Sequence, residues 1–405
     1  MLKQDEPILE RPLYMQALQT FRDKHIIKIL SGVRRAGKST IFDLFHKELV
    51  SSGVVESQII ERRYTSMDFA EDFDERSMYA DLKGAVALSD KKCYLLLDEV
   101  QEVDGWERVI NSIFESSNAD IYITGSNSKL LSSEISTYLS GRFVSIPIFT
   151  LSFSEYLEFQ KAAGHTDGNL LHKYIRMGAF PLISLSDYSQ ESAYQIVDGI
   201  YATVVTKDIV RRHNIANIDM FNRVTRFVCE NLGKTFSAKT IFDFFKSQHR
   251  SIAIETIYNY LAWLEEAYII YRCRRYDMQG KEVLKTQEKF YLSDVSFKYS
   301  QLGFNTKMIA SVLENIVYLE LRRRGYEVYI GKLGDREIDF VATNRGEKLY
   351  VQVCRNLPDD DEREIANLKA IRDNFPKYVV TLEELAEGSI DGIQIMHLKN
   401  FLLQV

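Results

Sequence analysis

The first 150 residues alternate between short apolar runs and amphipathic stretches. Apolar runs at 26–30 and 93–97 predict buried parallel strands, because such strands are covered on both faces and carry few polar side chains. Residues 40–50 place apolar side chains at helical spacing directly after the first run and predict an α-helix. Further strands are predicted at 58–67, 119–124 and 143–148, and further helices at 76–88 and 106–115. This order predicts an α/β domain built on a parallel sheet.

The pattern becomes helical after residue 150. Residues 151–205 predict helices without strand alternation, which is typical of a helical lid. Between 206 and 300, three helices are predicted at 221–232, 238–248 and 255–269, and a two-strand ribbon turns at Gln279-Gly280. Three helices followed by a ribbon is the plan of a winged helix.

The last hundred residues predict a second α/β arrangement. A helix at 310–323 precedes strands at 326–330, 337–341 and 348–353. The chain is therefore predicted to contain a core at 1–150, a lid at 151–205, a winged-helix domain at 206–300 and an α/β domain at 301–405.

A glycine-rich loop joins the first predicted strand to the helix behind it. Its sequence is Gly32-Val33-Arg34-Arg35-Ala36-Gly37-Lys38-Ser39-Thr40. Strand, G-x-x-x-x-G-K-[ST] and helix form the context that a phosphate-binding P-loop requires. The glycines let the backbone wrap a phosphate, Lys38 supplies a charge to the β/γ-phosphates, and Ser39 is placed for Mg²⁺. The sequence therefore predicts a nucleoside triphosphate site.

Two adjacent carboxylates follow the buried run at 93–97. Charges are costly to bury without partners, so Asp98 and Glu99 need an explanation. In a P-loop enzyme, Asp98 would hold Mg²⁺ together with Ser39, and Glu99 would activate the attacking water as a general base. The alternative is a strand that simply runs into an acidic loop. The first interpretation predicts ATP hydrolysis.

Two further candidates remain open on the residues alone. Ser126 or Asn127, after the strand at 119–124, could sense the γ-phosphate. Alternatively, Asn127 or Ser128 could cap a helix beginning near Lys129, and both roles are compatible. Arg142, between a helix and a strand, could contact the γ-phosphate or lie on the surface.

These motifs together resemble a prokaryotic AAA+ ATPase family. The resemblance rests on the P-loop, Leu97-Asp98-Glu99-Val100-Gln101, Ile123-Thr124-Gly125-Ser126-Asn127 and Ser140-Gly141-Arg142, and extends to Gly178-Ala179-Phe180-Pro181 in the lid. Members of that family carry a C-terminal domain of unknown function with winged-helix and endonuclease-like parts. The resemblance implies the additional-strand, catalytic-glutamate type of AAA+ fold, with ATP and Mg²⁺ as ligands. It also implies that Arg142 contacts nucleotide, in the same chain or from a neighbouring subunit of a homo-oligomer.

Residues 206–290 are basic within an acidic chain. They hold 15 Lys or Arg against 10 Asp or Glu, whereas the whole chain has a net charge of -6. Basic residues near the ribbon would suit contact with a DNA backbone. They are Arg272, Arg274, Arg275, Lys281, Lys285 and Lys289. The alternative is a module that binds protein.

The last predicted domain resembles a PD-(D/E)xK nuclease core. Glu314 on a helix and Asp339 on a strand match two of its acidic positions, where the family binds Mg²⁺. Gln352-Val353-Cys354 stands where Glu-x-Lys is expected, so one carboxylate and the ammonium are missing. A degenerate recognition or scaffold domain is therefore favoured over an active nuclease.

Cysteines and apolar runs bear on location. Four scattered cysteines form no C-x-x-C pair, which favours a reducing cytoplasm and argues against structural zinc. No apolar run is long enough for a membrane span, and residues 1–7 lack an apolar signal core.

The function predicted is hydrolysis of ATP coupled to a C-terminal DNA- or partner-binding module. The alternatives are an ATP-regulated Mg²⁺-dependent nuclease and a nucleotide-gated protein-interaction switch.

Overall fold

The computed structural model describes residues 9–69, 72–131, 138–139, 141–166, 168–280, 282–357, 363–383 and 387–404. Ser140 and Lys281, which the sequence predictions include, lie outside these residues. The chain divides into two compact units. The first contains residues up to 148 and 266–268, and the second contains 149–265 and the residues from 269 onward.

The first unit is a five-stranded parallel sheet with helices. Its strands lie in the order β2-β3-β4-β1-β5, and each neighbouring pair is parallel. The strands are β1 (Ile27–Ser31), β2 (Ile59–Arg63), β3 (Cys93–Asp98), β4 (Ala119–Gly125) and β5 (Phe143–Pro147). The helices are α1 (Pro12–Phe21), α2 (Lys38–Ser51), α3 (Glu75–Ala87) and α4 (Trp106–Ser116). The predicted α/β fold with a parallel sheet is confirmed.

The three central strands explain where the site lies. Every residue of β1 and β3 is buried, as the uninterrupted apolar runs predict. The register pairs Ser31 with Gly125 and Leu97 with Ile123. The residues that follow β1, β3 and β4 therefore meet at one edge of the sheet, where ligands bind in open α/β folds.

The second unit begins with helices and ends with a mixed sheet. Its helices are α5 (Phe153–Ala162), α6 (Leu170–Met177), α7 (Pro181–Ser184), α8 (Gln190–Thr203), α9 (Ile218–Glu230), α10 (Ala238–Ser247), α11 (Ile254–Glu266), α12 (Ser296–Leu302), α13 (Ile309–Arg323), α14 (Arg363–Lys369) and α15 (Leu398–Leu403). A π-helical stretch, Val204–Val210, and helical Arg211–His213 follow α8.

The sheet of the second unit has eight strands in the order β12-β13-β11-β10-β9-β8-β6-β7. They are β6 (Ile270–Asp277), β7 (Glu282–Leu292), β8 (Glu327–Leu333), β9 (Arg336–Asn344), β10 (Glu347–Val353), β11 (Lys377–Thr381), β12 (Gly388–Ile390) and β13 (Ile393–His397). The ribbon of β6 and β7 is antiparallel, and β6 also pairs in parallel with β8. The ribbon and the later strands therefore form one sheet, and α12 spans residue 300, where a domain boundary was predicted.

The residues predicted as a lid pack within the same unit. The Ala179 amide donates to Asp294 Oδ2 at 2.9 Å, and the rings of Phe180 and Phe297 lie 5.4 Å apart. Gly178 has a φ of +76°, and a Cβ there would lie 1.9 Å from Asp294 Oδ1. This turn requires glycine for both reasons.

One predicted helix ends earlier than its pattern indicated. The helix predicted at 255–269 ends at Glu266, and Ile270 begins β6. Residues 267–269 form a turn in which Tyr268 has a φ of +54°, and the apolar run continues from this turn into the strand; a short apolar run does not distinguish helix from strand. In the part of the chain that the structure describes, no helix combines the length and apolarity needed to cross a bilayer.

Candidate functional site

The phosphate loop connects β1 to α2 and depends on two glycines. A Cβ on Gly32 would lie 2.0 Å from the carbonyl oxygen of Ile148, so no larger residue fits there. Gly37 is the N-cap of α2 with a φ of +96°, a conformation that glycine adopts at low cost. Both glycines of the motif are therefore explained by local geometry.

Lys38 lies over this loop with its ammonium turned back toward it. Its side chain is almost fully buried, and Nζ donates to the carbonyl oxygens of Gly32 at 2.9 Å and Val33 at 3.3 Å. The ammonium also lies 3.6 Å from Glu99 Oε1. The positive charge is thus held beside the loop that would bind phosphate.

Asp98 contacts the hydroxyls of two neighbouring elements. Ser39 Oγ donates to Asp98 Oδ2 at 2.7 Å, and Thr124 Oγ1 donates to Asp98 Oδ1. Burial, and then the negative charge of Glu99, raise the pKa of Asp98 above its usual range. The predicted pair of Ser39 and Asp98 is therefore in contact, and Thr124 is a third member that the sequence did not reveal.

Glu99 follows the strand in a left-handed conformation, with a φ of 55°. Its amide donates to Thr124 Oγ1 at 3.0 Å, and its Oε2 accepts from Ser126 Oγ at 2.9 Å and from Gln101 Nε2. A left-handed non-glycine residue is uncommon and is found at functional sites. The turn directs the Glu99 carboxylate toward Lys38 instead of along the strand.

The charge of Glu99 is stabilised although the carboxyl is buried. Burial alone would raise its pKa, but the positive charges of Lys38 and Arg34 outweigh that effect, together with the two hydrogen bonds to Oε2. The pKa of Glu99 therefore lies below its usual range, and the group is a carboxylate at neutral pH. That is the protonation state a general base needs.

The residues present fit Mg²⁺ and a triphosphate. Mg²⁺ prefers oxygen ligands, and the Ser39 hydroxyl and Asp98 carboxylate already lie within 2.7 Å of each other. The loop adjoining them leads into the N-terminus of α2, which favours anions.

Arg11 is a contributor that the sequence patterns missed. It precedes α1, its side chain is buried, and Nη1 donates to the Ala36 carbonyl at 2.9 Å. Its guanidinium also stacks 4.5 Å from the centre of the Tyr14 ring. Arg11 therefore anchors the phosphate loop from a separate part of the chain.

Asn127 has structural partners in this conformation. Its Oδ1 accepts from the Lys129 amide at 2.7 Å, which caps the 3₁₀ turn Ser128–Leu131, and its Nδ2 donates to Glu266 Oε1 at 3.0 Å. The capping interpretation thus has direct contacts. A role for Asn127 as a sensor stays a prediction.

Arg142 lies at the amino ends of the strands, opposite the carboxyl ends where the phosphate loop lies. It precedes β5, whose first residue pairs with Ile27 at the start of β1, whereas the phosphate loop follows the end of β1. The five residues of β1 place its two ends about 13 Å apart. Arg142 Nη2 instead pairs with Glu115 Oε1 at 2.6 Å and contacts Asn111. Arg142 therefore lies away from the phosphate loop of its own chain, and a contact with nucleotide, in the same chain or from a neighbouring subunit, stays a prediction.

The second predicted site forms a cluster in the second unit. Glu314 on α13 and Asp339 on β9 both face Lys289 on β7, with Nζ 2.7 Å from Glu314 Oε1 and 3.7 Å from Asp339 Oδ1. Glu337 joins them, 3.0 Å from the same ammonium. Gln352 lies beside Asp339, since its Oε1 accepts from the Asp339 amide at 3.2 Å. The predicted acids therefore meet, and Lys289 and Glu337 are members that the motif did not indicate.

Two family profiles match this chain. An AAA domain profile matches residues 24–157, and a profile for a domain of unknown function matches residues 168–308. An uncharacterized protein of Haemophilus influenzae is 35% identical over 399 residues, which cover 98% of this chain and 99% of that protein. This chain belongs to that family of AAA-domain proteins. A second relative, from Methanocaldococcus jannaschii, is 33% identical over 86% of this chain and 79% of its own length.

Two solved structures are distant neighbours of this AAA-domain protein. DNA-bound ORC1 of Aeropyrum pernix covers 74% of this chain and 94% of its own, with 11% identity and a TM-score of 0.34. AMPPCP-bound DnaA of Aquifex aeolicus covers 66% and 93%, with 13% identity and a TM-score of 0.34.

Arg11 lies outside the stretch that defines the AAA domain of this protein. The matched stretch begins at residue 24, and Arg11 reaches the loop from before it. A signal was nevertheless present in the sequence, since an arginine directly before an amphipathic helix next to a P-loop is a candidate for loop contact. Gln101 could have been found more easily, because it follows Asp98-Glu99 within the same motif.

Proposed function

We propose that this AAA-domain protein binds ATP with Mg²⁺ and hydrolyses it, and that the nucleotide state controls its second unit. One observation carries the proposal: Lys38, Ser39, Asp98 and Glu99 converge at the carboxyl edge of one parallel sheet. Each is in direct contact with another of the four.

The roles follow from the chemistry of each side chain. Ser39 and Asp98 would hold Mg²⁺, which neutralises the charge that develops on the phosphate oxygens. Lys38 would leave the loop carbonyls for the phosphates, because a phosphate is a stronger partner for an ammonium than a neutral carbonyl is. Glu99, ionised at neutral pH, would then take the proton of the attacking water.

Two substitutions test these roles. We expect Lys38→Ala to abolish ATP binding, measured by equilibrium titration with a fluorescent ATP analogue. We expect Glu99→Gln to retain binding and to lower the hydrolysis rate by about 100-fold to 10,000-fold, as loss of a general base does. Asp104→Asn, an exposed carboxylate outside the cluster, is the matched control and should keep the wild-type rate. Wild-type turnover by Glu99→Gln would refute the assigned role.

For the second unit we propose a binding module for DNA or a protein, with the winged-helix plan as its basis. The ribbon gives DNA binding less support than its sequence indicated. Arg272 forms ion pairs with Glu265 at 3.0 Å and with Glu288 at 2.8 Å, and Lys289 is buried. Arg274 remains exposed. Binding to a labelled duplex that weakens steeply with salt supports DNA as the partner, and its absence favours the protein-interaction switch.

Association of subunits is the remaining element of the proposal. If Arg142 acts on a neighbouring subunit, the protein should assemble when ATP binds. Sedimentation velocity with and without a non-hydrolysable ATP analogue tests this, and a monomer in both conditions would restrict Arg142 to its contacts with Glu115 and Asn111.

A further inference from the structure

A buried ammonium lies at the centre of the acidic cluster of the second unit. The Lys289 side chain is only 4% exposed, so its charge needs partners inside the protein. Three carboxylates supply them, at 2.7 Å from Glu314, 3.0 Å from Glu337 and 3.7 Å from Asp339. The cluster therefore already contains a cation.

The strand that carries Lys289 is built to hold it there. Residues 289 and 291 share one face of β7, because side chains alternate along a strand. Tyr291 is fully buried, and its hydroxyl donates to the same Oε1 of Glu314 that Lys289 contacts. Two side chains of β7 thus converge on one carboxylate oxygen.

The other oxygen of Glu314 is covered by backbone. Gly233 has a φ of +73°, and a Cβ there would lie 2.9 Å from Glu314 Oε2. The Glu337 side chain, by contrast, is 38% exposed, against 13% for Glu314 and 14% for Asp339, so the cluster is most open to solvent beside Glu337. Glu314 therefore has one oxygen taken by Lys289 and Tyr291 and the other close to the backbone of Gly233.

With Lys289 in place, the cluster also lacks the arrangement of oxygens that a metal ion needs. Mg²⁺ is bound at about 2.0–2.1 Å and with nearly octahedral geometry. Asp339 Oδ2 is engaged by the Val353 amide at 2.9 Å, and Gln352 contributes a neutral amide where the nuclease pattern has a carboxylate. Among the residues that the structure describes, no three acidic, histidine or cysteine side chains are grouped as a metal site.

We propose that Lys289 is the permanent cation of this cluster and occupies the place that a divalent metal would take in an endonuclease-like site. The ammonium joins β7 to α13 and β9, so the acids that resemble those of a nuclease core serve a structural ion-pair network without metal chemistry. The negative potential of the cluster supports this assignment, because it raises the pKa of Lys289 despite burial and keeps the side chain charged.

The test is Mn²⁺ binding to the full-length, nucleotide-free chain, followed by electron paramagnetic resonance of free Mn²⁺. All variants carry Asp98→Asn, so that the site in the first unit does not contribute. With Lys289 present, we expect no Mn²⁺ site that depends on Asp339. Lys289→Met should gain one site per chain that binds Mn²⁺ at least about tenfold more tightly than any site of the chain that retains Lys289, because the ammonium is removed from among the acids and the cluster becomes more negative by one charge. Adding Asp339→Asn should remove the gained site.

The matched control is Lys298→Met. Lys298 is a second buried lysine of the same unit, but its Nζ donates to the Ser311 hydroxyl at 2.9 Å, so its loss should create no Mn²⁺ site. The proposal is wrong if Lys289→Met gains no Mn²⁺ site, or if the chain with Lys289 binds one Mn²⁺ that Asp339→Asn abolishes. The second measurement does not require the Lys289 variant to fold.

Cleavage assays give an independent result. A labelled duplex incubated with the wild-type protein and Mg²⁺ or Mn²⁺ should remain intact. Cleavage that disappears in Asp339→Ala would overturn the proposal and restore the nuclease alternative.

Discussion

Thr124 holds two parts of the ATP site together, and its removal tests how that site is built. Its hydroxyl donates to the Asp98 carboxylate and accepts from the Glu99 amide, and the residue is fully buried. Thr124→Val keeps the shape of the side chain and removes only the hydroxyl. The change therefore isolates the two hydrogen bonds.

The expected loss of stability follows from the two hydrogen bonds of the Thr124 hydroxyl, one to the Asp98 carboxylate and one to the Glu99 amide. A hydrogen bond to a charged group contributes about 1.5–3 kcal/mol, and one between neutral groups about 0.5–1.5 kcal/mol. We expect Thr124→Val to lower the free energy of unfolding of the first unit by about 2–4 kcal/mol. The loss also raises the pKa of Asp98 further, since the hydroxyl favours its ionised form. As the pH falls, Mg²⁺-ATP binding should therefore begin to weaken at a higher pH in the variant than in the wild type.

Urea unfolding followed by Trp106 fluorescence measures this effect. Trp106 lies in the first unit, and Trp263→Phe in every variant removes the other tryptophan. Thr124→Ser is the control, because it keeps the hydroxyl and loses a buried methyl group, at a cost of about 1 kcal/mol. If the valine variant is no less stable than the serine variant, the hydroxyl does not stabilise this site.

Two further predictions concern single side chains. Arg11→Gln removes the hydrogen bond to the Ala36 carbonyl and should weaken ATP affinity about fivefold to tenfold. The hydrolysis rate at saturating ATP should stay close to that of the wild type. The control is Arg22→Gln, because the guanidinium of Arg22 contacts Ser52 instead of the loop. An unchanged affinity would contradict the anchoring role. Burial lowers the pKa of Lys298 from its ordinary value of 10.5 to about 8, so between these values the unfolded chain binds a proton at Lys298 that the folded protein does not. The contribution of Lys298 to stability is therefore fully present above pH 10.5 and is lost as the pH falls toward 8. The free energy of unfolding, relative to Lys298→Met, should fall by about 3 kcal/mol over that range, measured by urea unfolding at fixed pH values, and a constant difference would refute the assignment.

The sequence predicted the site best where its residues are close together in the chain or follow neighbouring parallel strands. The P-loop glycines, Lys38 and Ser39 are adjacent, and Asp98 had to reach them because parallel strands end at one edge of the sheet. The same rule could have placed Arg142, since a residue that precedes a parallel strand lies at the opposite edge. It was the resemblance, and not the topology, that assigned Arg142 to the nucleotide.

Side-chain contacts between elements that are distant in the chain could not be predicted from the sequence. Lys289 reaches Glu314 only because β7 and α13 pack together, and nothing in the spacing of these two residues indicates that. The nuclease pattern predicts its lysine at position 354, directly after β10, where this chain has Cys354. An ammonium from a different strand lies in the cluster instead, and our proposal of a structural role rests on its position there.

The two sheets differ in how much of the chain each requires. The five strands of the first sheet are complete at Pro147, whereas the second sheet runs from Ile270 to His397 and pairs β6 with β8 across the intervening helices. Domains that appear first during synthesis generally fold first. On the ribosome, the nucleotide-binding sheet can therefore form while the second unit is still being translated. The second sheet cannot be completed until β13 (Ile393–His397) has emerged, and a ribosome that stalls before β13 would release a finished first sheet attached to an incomplete second one.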